Sequence, residues 1–225
     1  MKLYTPLTLV LSLVTGVVMS QEKMKIGIFV YPEMELQDFA GPTDVFVKAN
    51  RFTNDQYELL LFSEDGTLIE TERNVVPITP KYSFKTLPKV DLILIPGSPI
   101  EVATTRSKQA NIKQFLVDQK DRGTTLASVC TGAYFLANSG LLDGHRFTTH
   151  YLDAAELGAH LPNAEVVLNV RFVDSGQILT ASGITSGIDL ALYLVEQYSG
   201  RVIQDKIAKL MQYEYHVEQQ WPEQL

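Results

Sequence analysis

The chain lacks the residue patterns that build several common kinds of site. Cys130 is the only cysteine in 225 residues, so an internal disulfide framework is excluded. The four histidines are dispersed and lack the paired spacing of zinc motifs, so we predict no metal site. The glycines around Gly27 and Gly183 do not form a phosphate-binding fingerprint, so we predict no nucleotide cofactor. The sequence therefore favours a protein that works without a cofactor.

Basic residues are scarce as well. The chain has 19 Lys and Arg against 26 Asp and Glu, and the basic residues are scattered. Because phosphate binding needs a basic face, this balance argues against nucleic acid or anionic lipid as a partner. We expect a small-molecule substrate instead.

Long apolar runs are missing except near the N-terminus. There Lys2 is the only charge in the first twenty residues, and residues 7–19 are apolar apart from Thr, Ser and Gly. This pattern predicts a signal peptide at residues 1–20 and a periplasmic or secreted protein with no membrane contact after cleavage. The alternative is an uncleaved anchor, although a span needs about 20 apolar residues. The remainder, residues 21–225, has a formal charge of −8 and is expected to form a single domain.

Several apolar runs are continuous rather than alternating, which favours strands covered on both faces of a sheet. We predict strands at residues 24–31, 56–63, 90–95 and 124–129, and a hairpin of residues 164–173 and 177–181. The predicted helices are residues 42–51, 108–122, 151–158, 184–198 and 201–215. The alternation predicts a doubly wound α/β fold with a mostly parallel sheet sandwiched by helices, in the flavodoxin-like manner.

Cys130 stands where an apolar run meets small residues that can begin a helix. This is the layout of a nucleophile elbow, a sharp strand-to-helix turn that holds one side chain at the sheet edge. Helix N–H groups there should lower the pKa of the thiol and ionise part of it at neutral pH. The alternative is that Cys130 is a small buried apolar residue, as most free cysteines are. Loops at residues 31–41 and 96–99 should converge on the same edge.

The chain resembles the ThiJ/PfpI superfamily, which has a class I glutamine amidotransferase-like fold. Within it, the likeness is greatest to isonitrile hydratases and to the ligand-binding domains of AraC-type regulators. The matching segments run in the family's order through nearly the whole chain: residues 36–42 (LQDFAGP), 44–46 (DVF), 95–97 (IPG), 128–133 (SVCTGA), 140–144 (GLLDG), 148–151 (TTHY) and 182–191 (SGITSGIDLA).

The resemblance implies roles for three residues. Cys130 matches the family's nucleophile, and Asp38 matches the acid that reaches its sulfur. A carboxyl beside a thiol would have a raised pKa and could pass a proton to the reacting carbon. Thr131 matches a threonine implicated in isonitrile hydratases, and its N–H could stabilise an oxyanion. The alternatives are that Asp38 is a helix N-cap and that Thr131 is an ordinary first-turn residue.

Gly97 and Ser98 stand where the family usually has two glycines, the second of which supplies an oxyanion N–H. A serine keeps that N–H but has fewer accessible backbone angles. His150 follows Cys130 by 20 residues, a spacing at which many members place a histidine near the nucleophile. It could act as a base or only shape the pocket. The other histidines, His145, His160 and His216, are expected in surface or packing positions.

These features predict a cofactor-free, cysteine-dependent enzyme that acts on a small electrophile. The resemblance makes hydration of an isonitrile to an N-substituted formamide the most concrete reaction, and the alternatives within the superfamily are hydrolase, glyoxalase-like and deglycase reactions. The alternative is a non-catalytic binding module or thiol redox sensor, related to the regulator domains but without their DNA-binding part. The resemblance also implies a homodimer.

Overall fold

The computed structural model of the protein describes residues 22–215. The expected signal peptide at residues 1–20 and His216 lie outside that range. The strands of the described part are β1 (Met24–Phe29), β2 (Tyr57–Ser63), β3 (Ile69–Glu70), β4 (Pro77–Ile78), β5 (Tyr82–Ser83), β6 (Leu92–Ile95), β7 (Thr125–Val129), β8 (Arg146–Phe147), β9 (Glu165–Val166), β10 (Phe172–Asp174) and β11 (Ile178–Ala181). The helices are α1 (Leu36–Asn50), α2 (Ile100–Arg106), α3 (Ala110–Asp121), α4 (Ala133–Asn138), α5 (Tyr151–Ala159), α6 (Ser186–Ser199) and α7 (Arg201–Leu210).

Seven strands form the central sheet in the order β10-β11-β7-β6-β1-β2-β5. Every neighbouring pair is parallel except β10 with β11. The helices α1, α6 and α7 pack together, and α2, α3 and α4 form a second group. The central strands are apolar along their length because both faces are covered, and all four residues of β6 are buried. The predicted doubly wound α/β fold is confirmed.

The first helix begins six residues earlier than predicted, at Leu36 instead of residue 42. Proline cannot donate a backbone hydrogen bond and is favoured at the first position of a helix, so the sequence pattern predicts a helix start at Pro42. The helix tolerates it because this segment packs tightly on α6. A Cβ on Gly41 would lie 2.9 Å from Ile188, and one on Gly187 would lie 3.3 Å from Pro42. Tertiary contact therefore offsets the lost hydrogen bond.

Three other differences are local. The short helix α2 was not predicted. The hairpin forms around Gly176, but its first strand is only Phe172–Asp174, because Glu165–Val166 pairs with Arg146–Phe147 in a separate small sheet. The last helix ends at Leu210 rather than residue 215. The chain turns after it and brings the Tyr213 hydroxyl to Asp189, at 2.8 Å.

Candidate active site

Cys130 occupies a strained turn between β7 and α4. Its φ is +56°, in the left-handed region that costs a non-glycine residue about 1–3 kcal/mol. Two bonds hold this backbone: the Cys130 N–H donates to the Ser182 carbonyl (2.7 Å), and the Thr149 hydroxyl donates to the Cys130 carbonyl (2.7 Å). Gly132 allows the turn to lie against β6, since a Cβ there would be 2.3 Å from the Ile95 carbonyl oxygen. The predicted sharp strand-to-helix turn at Cys130 is confirmed, and the nucleophilic role of the thiol stays a prediction.

The thiol environment differs from the expectation. The backbone N–H groups of Thr131 and Ile184 face the sulfur and lower its pKa, as helix-start N–H groups should. Burial is the larger effect, however, and together with the charges of Asp38 and Asp153 it raises the pKa of the Cys130 thiol well above its usual value. The expected ionised thiol is therefore wrong for this structure. Only 7% of Cys130 is exposed, so desolvation outweighs the N–H groups.

Asp38 lies beside this thiol, in the first turn of α1, and is completely buried. Its Oδ2 accepts a hydrogen bond from the Gly97 N–H (2.9 Å). Burial raises the pKa of Asp38 to about 8 and the nearby Glu35 adds to this rise, whereas the Gly97 N–H and the interaction with the Cys130 thiol oppose it. At neutral pH the group is therefore mainly a carboxylic acid. The N-cap alternative is wrong, since Glu35 holds that position and Asp38 bonds to another loop.

Oδ1 of Asp38 is the other half of this carboxyl. It is buried and has no hydrogen-bond partner of normal geometry within residues 22–215. Since Oδ2 accepts from Gly97, a proton on the carboxyl is best placed on Oδ1. The arrangement presents one available acid oxygen next to one thiol.

Thr131 links the elbow to the loop after β6. Its hydroxyl donates to the Ser98 carbonyl (2.6 Å) and accepts from the Ser98 N–H (2.9 Å). The hydroxyl therefore pairs with another loop rather than capping its own turn. Gly97 sits in the middle of these contacts, since a Cβ there would lie 2.7 Å from Thr131 Oγ1 and 2.8 Å from Asp38 Oδ2. Only glycine fits at this position without displacing both side chains.

The N–H groups of Gly97 and Ser98, the predicted oxyanion residues in the loop after β6, are already hydrogen-bonded within the protein. The Gly97 N–H is bonded to Asp38, and the Ser98 N–H is bonded to Thr131. Ser98 takes no positive φ, so the departure from a second glycine brings no backbone strain. An oxyanion role for Ser98 stays a prediction, and it requires the Thr131 hydroxyl to turn away first. The Thr131 N–H, which faces the sulfur, is the better placed donor.

His150 lies just before α5 and contacts Asp153, with Nδ1 3.6 Å from Oδ2. Its ring packs on Tyr151, at 4.8 Å between centroids, and on Gly183, where a Cβ would be 2.8 Å from His150 Cδ2. Asp153, not His150, is among the charges that act on the thiol. A direct role for His150 therefore stays a prediction.

Three site residues were missed by sequence reasoning. Tyr31 is buried beneath the site, donates to the Pro96 carbonyl (2.8 Å), and has a pKa raised chiefly by burial. It is the last residue of the strand predicted at residues 24–31, at the edge where the site is expected, and this position is a signal that could have identified it. Asp153, in the first turn of α5, acts on the thiol through its charge, and Ile184 directs its N–H to the sulfur from the loop before α6. Both positions depend on long-range packing, for which the sequence carries no local signal.

Two features are absent from residues 22–215. In that range, no group of three or more His, Cys, Asp and Glu is arranged to hold a metal ion. None of the helices there is both long enough and apolar enough to cross a membrane.

Sequence comparison places this site in a known context. The DJ-1/PfpI family matches residues 24–197. The chain is 29% identical to isonitrile hydratase from Pseudomonas putida over 179 residues. The matched region covers 79% of this chain and 73% of that protein. It is 26% identical over 196 residues to the HTH-type transcriptional regulator GbdR from Pseudomonas aeruginosa. That match covers 87% of this chain but only 52% of the regulator.

Solved structures share the fold at lower identity. A ThiJ/PfpI family protein from Pseudomonas syringae superimposes with a TM-score of 0.76 at 22% identity, over 85% of this chain and 76% of that one. DJ-1beta from Drosophila melanogaster superimposes with a TM-score of 0.74 at 20% identity, over 86% of this chain and 100% of that one. An AraC family transcriptional regulator from Pseudomonas putida superimposes with a TM-score of 0.74 at 21% identity, over 84% of this chain and 99% of that one. By its elbow, its sheet and the match over residues 24–197, the chain belongs to the DJ-1/PfpI family.

Proposed function

We propose that the protein is a cysteine-dependent enzyme that adds water to a small electrophile, most concretely an isonitrile. The observation that carries this proposal is the buried pair of Cys130 with Asp38, in which the carboxyl has a pKa of about 8. An isonitrile carbon takes up a nucleophile and a proton together, so a thiol beside a carboxylic acid suits it. The 29% identity to an isonitrile hydratase supports the same reaction.

The first step forms a carbon–sulfur bond. Asp38 donates its proton to the isonitrile carbon while the Cys130 sulfur attacks that carbon, and the thiol proton replaces the one lost from the carboxyl. The product is a thioimidate on Cys130. This exchange leaves Asp38 neutral, so the buried site does not have to stabilise a new charge on the carboxyl.

The second step releases the product. Water adds to the thioimidate carbon, and one of its two protons goes to the nitrogen. The carbon–sulfur bond then breaks, and the sulfur leaves with the other proton of the water, relayed by Asp38. The result is an N-substituted formamide and the original thiol. The N–H groups of Thr131 and Ile184, which face the sulfur, stabilise negative charge on it as it leaves.

The test is a panel of alkyl and aryl isonitriles incubated with the protein, with formamide formation followed by the NMR signal of the formyl proton. We expect turnover by the wild type and none by Cys130→Ser. Asp44→Asn is the matched control, because Asp44 lies on the exposed side of α1, the helix that carries Asp38. This variant should keep wild-type turnover. Formamide production that survives Cys130→Ser would contradict the proposal.

A second candidate is a small-molecule binding or redox-sensing module. It is favoured by the raised thiol pKa and by a relative that is a transcriptional regulator of about twice the matched length. The discriminating measurement is calorimetric ligand binding by Cys130→Ala. Tight binding of a compound that the wild type never converts would favour this second function.

Export and dimerisation belong to the same proposal. The apolar segment at residues 7–19 supports export, and N-terminal sequencing of protein from the periplasmic fraction should then begin at Gln21. The resemblance to the superfamily supports a homodimer. A sedimentation mass equal to that of one chain would contradict it.

A further inference from the structure

One peptide group connects Tyr31 to the carboxyl of Asp38. The carbonyl of Pro96 and the N–H of Gly97 belong to the same peptide bond, and each is hydrogen-bonded to a side chain. The Tyr31 hydroxyl donates to the Pro96 carbonyl oxygen (2.8 Å), and the Gly97 N–H donates to Asp38 Oδ2 (2.9 Å). The peptide is trans, so its C=O and N–H point in opposite directions. Tyr31 and Asp38 therefore hold this peptide from opposite sides.

The Tyr31 hydroxyl fixes the direction of the Gly97 N–H. Rotation of the peptide by half a turn would direct the Pro96 carbonyl oxygen at Asp38 and leave the hydroxyl without its acceptor. A hydrogen bond to a carbonyl also polarises the amide and strengthens its N–H as a donor. Both effects favour the ionised form of Asp38, because an N–H binds a carboxylate more strongly than a carboxylic acid. Without the hydroxyl, the Gly97 N–H would oppose the effect of burial less well.

The other peptide groups of this loop are held as well. The Gly97 carbonyl accepts from the Glu35 N–H (2.8 Å), and Ser98 exchanges two hydrogen bonds with the Thr131 hydroxyl (2.6 and 2.9 Å). The loop is thus fixed at three successive peptide groups, and Tyr31 fixes the one that contacts the acid.

The Tyr31 ring is itself firmly packed. It is completely buried, and its centroid lies 5.2 Å from that of Phe29 and 5.1 Å from that of Phe135. The Arg106 guanidinium lies 5.8 Å from the ring centroid and binds Glu64 (2.8 Å). These contacts involve the ring rather than the hydroxyl, so a phenyl ring in the same place would keep them.

The hydroxyl stays protonated while Asp38 ionises. Burial raises the pKa of Tyr31 well above its usual value, so the group remains an O–H donor on both sides of that transition. Other polar and charged groups act on the Tyr31 hydroxyl or on the Asp38 carboxyl, namely Glu35, Gly97, Ser98, Arg106 and Cys130. A substitution that removes only the hydroxyl leaves all of them in the chain.

We propose that Tyr31 is a positioning residue that holds the Pro96–Gly97 peptide so that its N–H controls the protonation of Asp38. The proposal deepens the function given above and rests on it for the use of the Asp38 proton. Tyr31 transfers no proton itself and acts on the acid through the peptide group.

The test is Tyr31→Phe, which removes the hydroxyl and keeps the ring. The ionisation of Asp38 is followed without substrate, by the ¹³C NMR signal of its carboxyl carbon in protein labelled at aspartate, and the signal is assigned by its loss in Asp38→Asn. We expect the midpoint to rise by about 0.5–1 pH unit, because the Gly97 N–H then binds the carboxylate less strongly. Exchange of the Gly97 N–H with solvent should become about tenfold faster.

Tyr57→Phe is the matched control. Tyr57 is also a buried tyrosine, and its hydroxyl contacts the Ser199 hydroxyl at the start of β2, at the edge of the sheet opposite to the elbow. The control also removes one buried hydroxyl and its hydrogen bond. It should leave the Asp38 midpoint and the exchange of the Gly97 N–H unchanged.

The outcomes separate this inference from the proposed function. An unchanged or lower midpoint in Tyr31→Phe would overturn the inference, and so would an equal rise in Tyr57→Phe, since the cause would then be a general loosening of the fold. A higher midpoint in a protein that converts no isonitrile would leave the positioning of Asp38 intact and remove the proposed reaction. If both proposals are correct, the alkaline limb of the kcat profile should move upwards with the midpoint, because Asp38 acts in its protonated form.

Discussion

Asp38 and Asp189 occupy matching positions on two helices and have different surroundings. Each lies in the first turn of a helix at the edge where Cys130 lies, and each is at most 1% exposed. Asp189 accepts from Arg171 and from the Tyr213 hydroxyl at 2.8 Å. Asp38 accepts one backbone N–H, and no Lys, Arg or His of residues 22–215 is among the groups recorded as shifting its pKa. Burial raises the pKa of both carboxyls, but Arg171 and Tyr213 oppose the rise at Asp189.

These surroundings distinguish Asp189, whose carboxyl stabilises the fold, from Asp38, whose carboxyl is suited to proton transfer. Arg171 donates through Nη2 to Thr185 (3.1 Å), so the pair with Asp189 also secures the loop whose Ile184 N–H faces the thiol. Asp38 is buried without a partner such as Arg171. Its carboxyl therefore holds a proton near neutral pH. Four measurements test this distinction.

The largest effect is expected from Asp38→Asn. The amide keeps an acceptor for the Gly97 N–H but has no transferable proton, so kcat should fall about 10²–10⁴-fold. The free energy of unfolding should stay the same or rise, since a buried carboxyl without a cation is removed. Steady-state kinetics and urea unfolding measure the two quantities. Wild-type turnover in this variant would show that the unpaired acid is not the chemical one.

Asp189→Asn should show the reverse pattern. Losing one partner of a buried pair costs about 3 kcal/mol of unfolding free energy, whereas turnover per folded molecule should change only a few-fold. Asp205→Asn is the matched control, because its pair with Arg201 is exposed and should contribute about 0–1 kcal/mol. Equal losses in the two variants would mean that burial gives the Asp189 pair no special weight.

Gly97→Ala should have smaller effects on kcat and on the free energy of unfolding. The new Cβ would meet Asp38 Oδ2 and Thr131 Oγ1, so we expect about 1–3 kcal/mol of lost stability and roughly tenfold lower kcat. Gly183→Ala is the comparison, because the three atoms nearest to its Cβ would all belong to the His150 ring. A larger loss of kcat in Gly183→Ala would indicate that the position of His150 matters more for catalysis than the positions of Asp38 and Thr131.

The most gradual effect is a slope of stability with pH. Asp38 has a pKa of about 8 in the folded protein and about 3.9 when unfolded, so the folded state binds more protons between these values. Its contribution to stability is present below about pH 4 and is lost as the pH rises to about 8, by up to about 1.4 kcal/mol per unit. Urea unfolding should therefore give a flatter profile for Asp38→Asn than for the wild type. Parallel profiles would indicate a normal carboxyl.

Much of the fold was predictable because its strands are continuous apolar runs. The stretch Leu92–Ile95 has no polar residue, and burial on both faces of a parallel sheet is the arrangement that such a run favours. The start of α1 was not predictable, because the helix passes through Pro42 only with α6 packed against Gly41. Local propensity cannot register a contact with a residue almost 150 positions away.

The sequence alone identified the thiol, the acid and the threonine, since residue types and family motifs are local information. Their chemical states depended on the folded structure. Asp38 meets the N–H of a residue 59 positions away, and Thr131 pairs with one 33 positions away. Both the loss of water around Cys130 and the absence of a cation near Asp38 arise from such long-range packing. A pKa depends on the surroundings of a group, and only the tertiary structure specifies those surroundings.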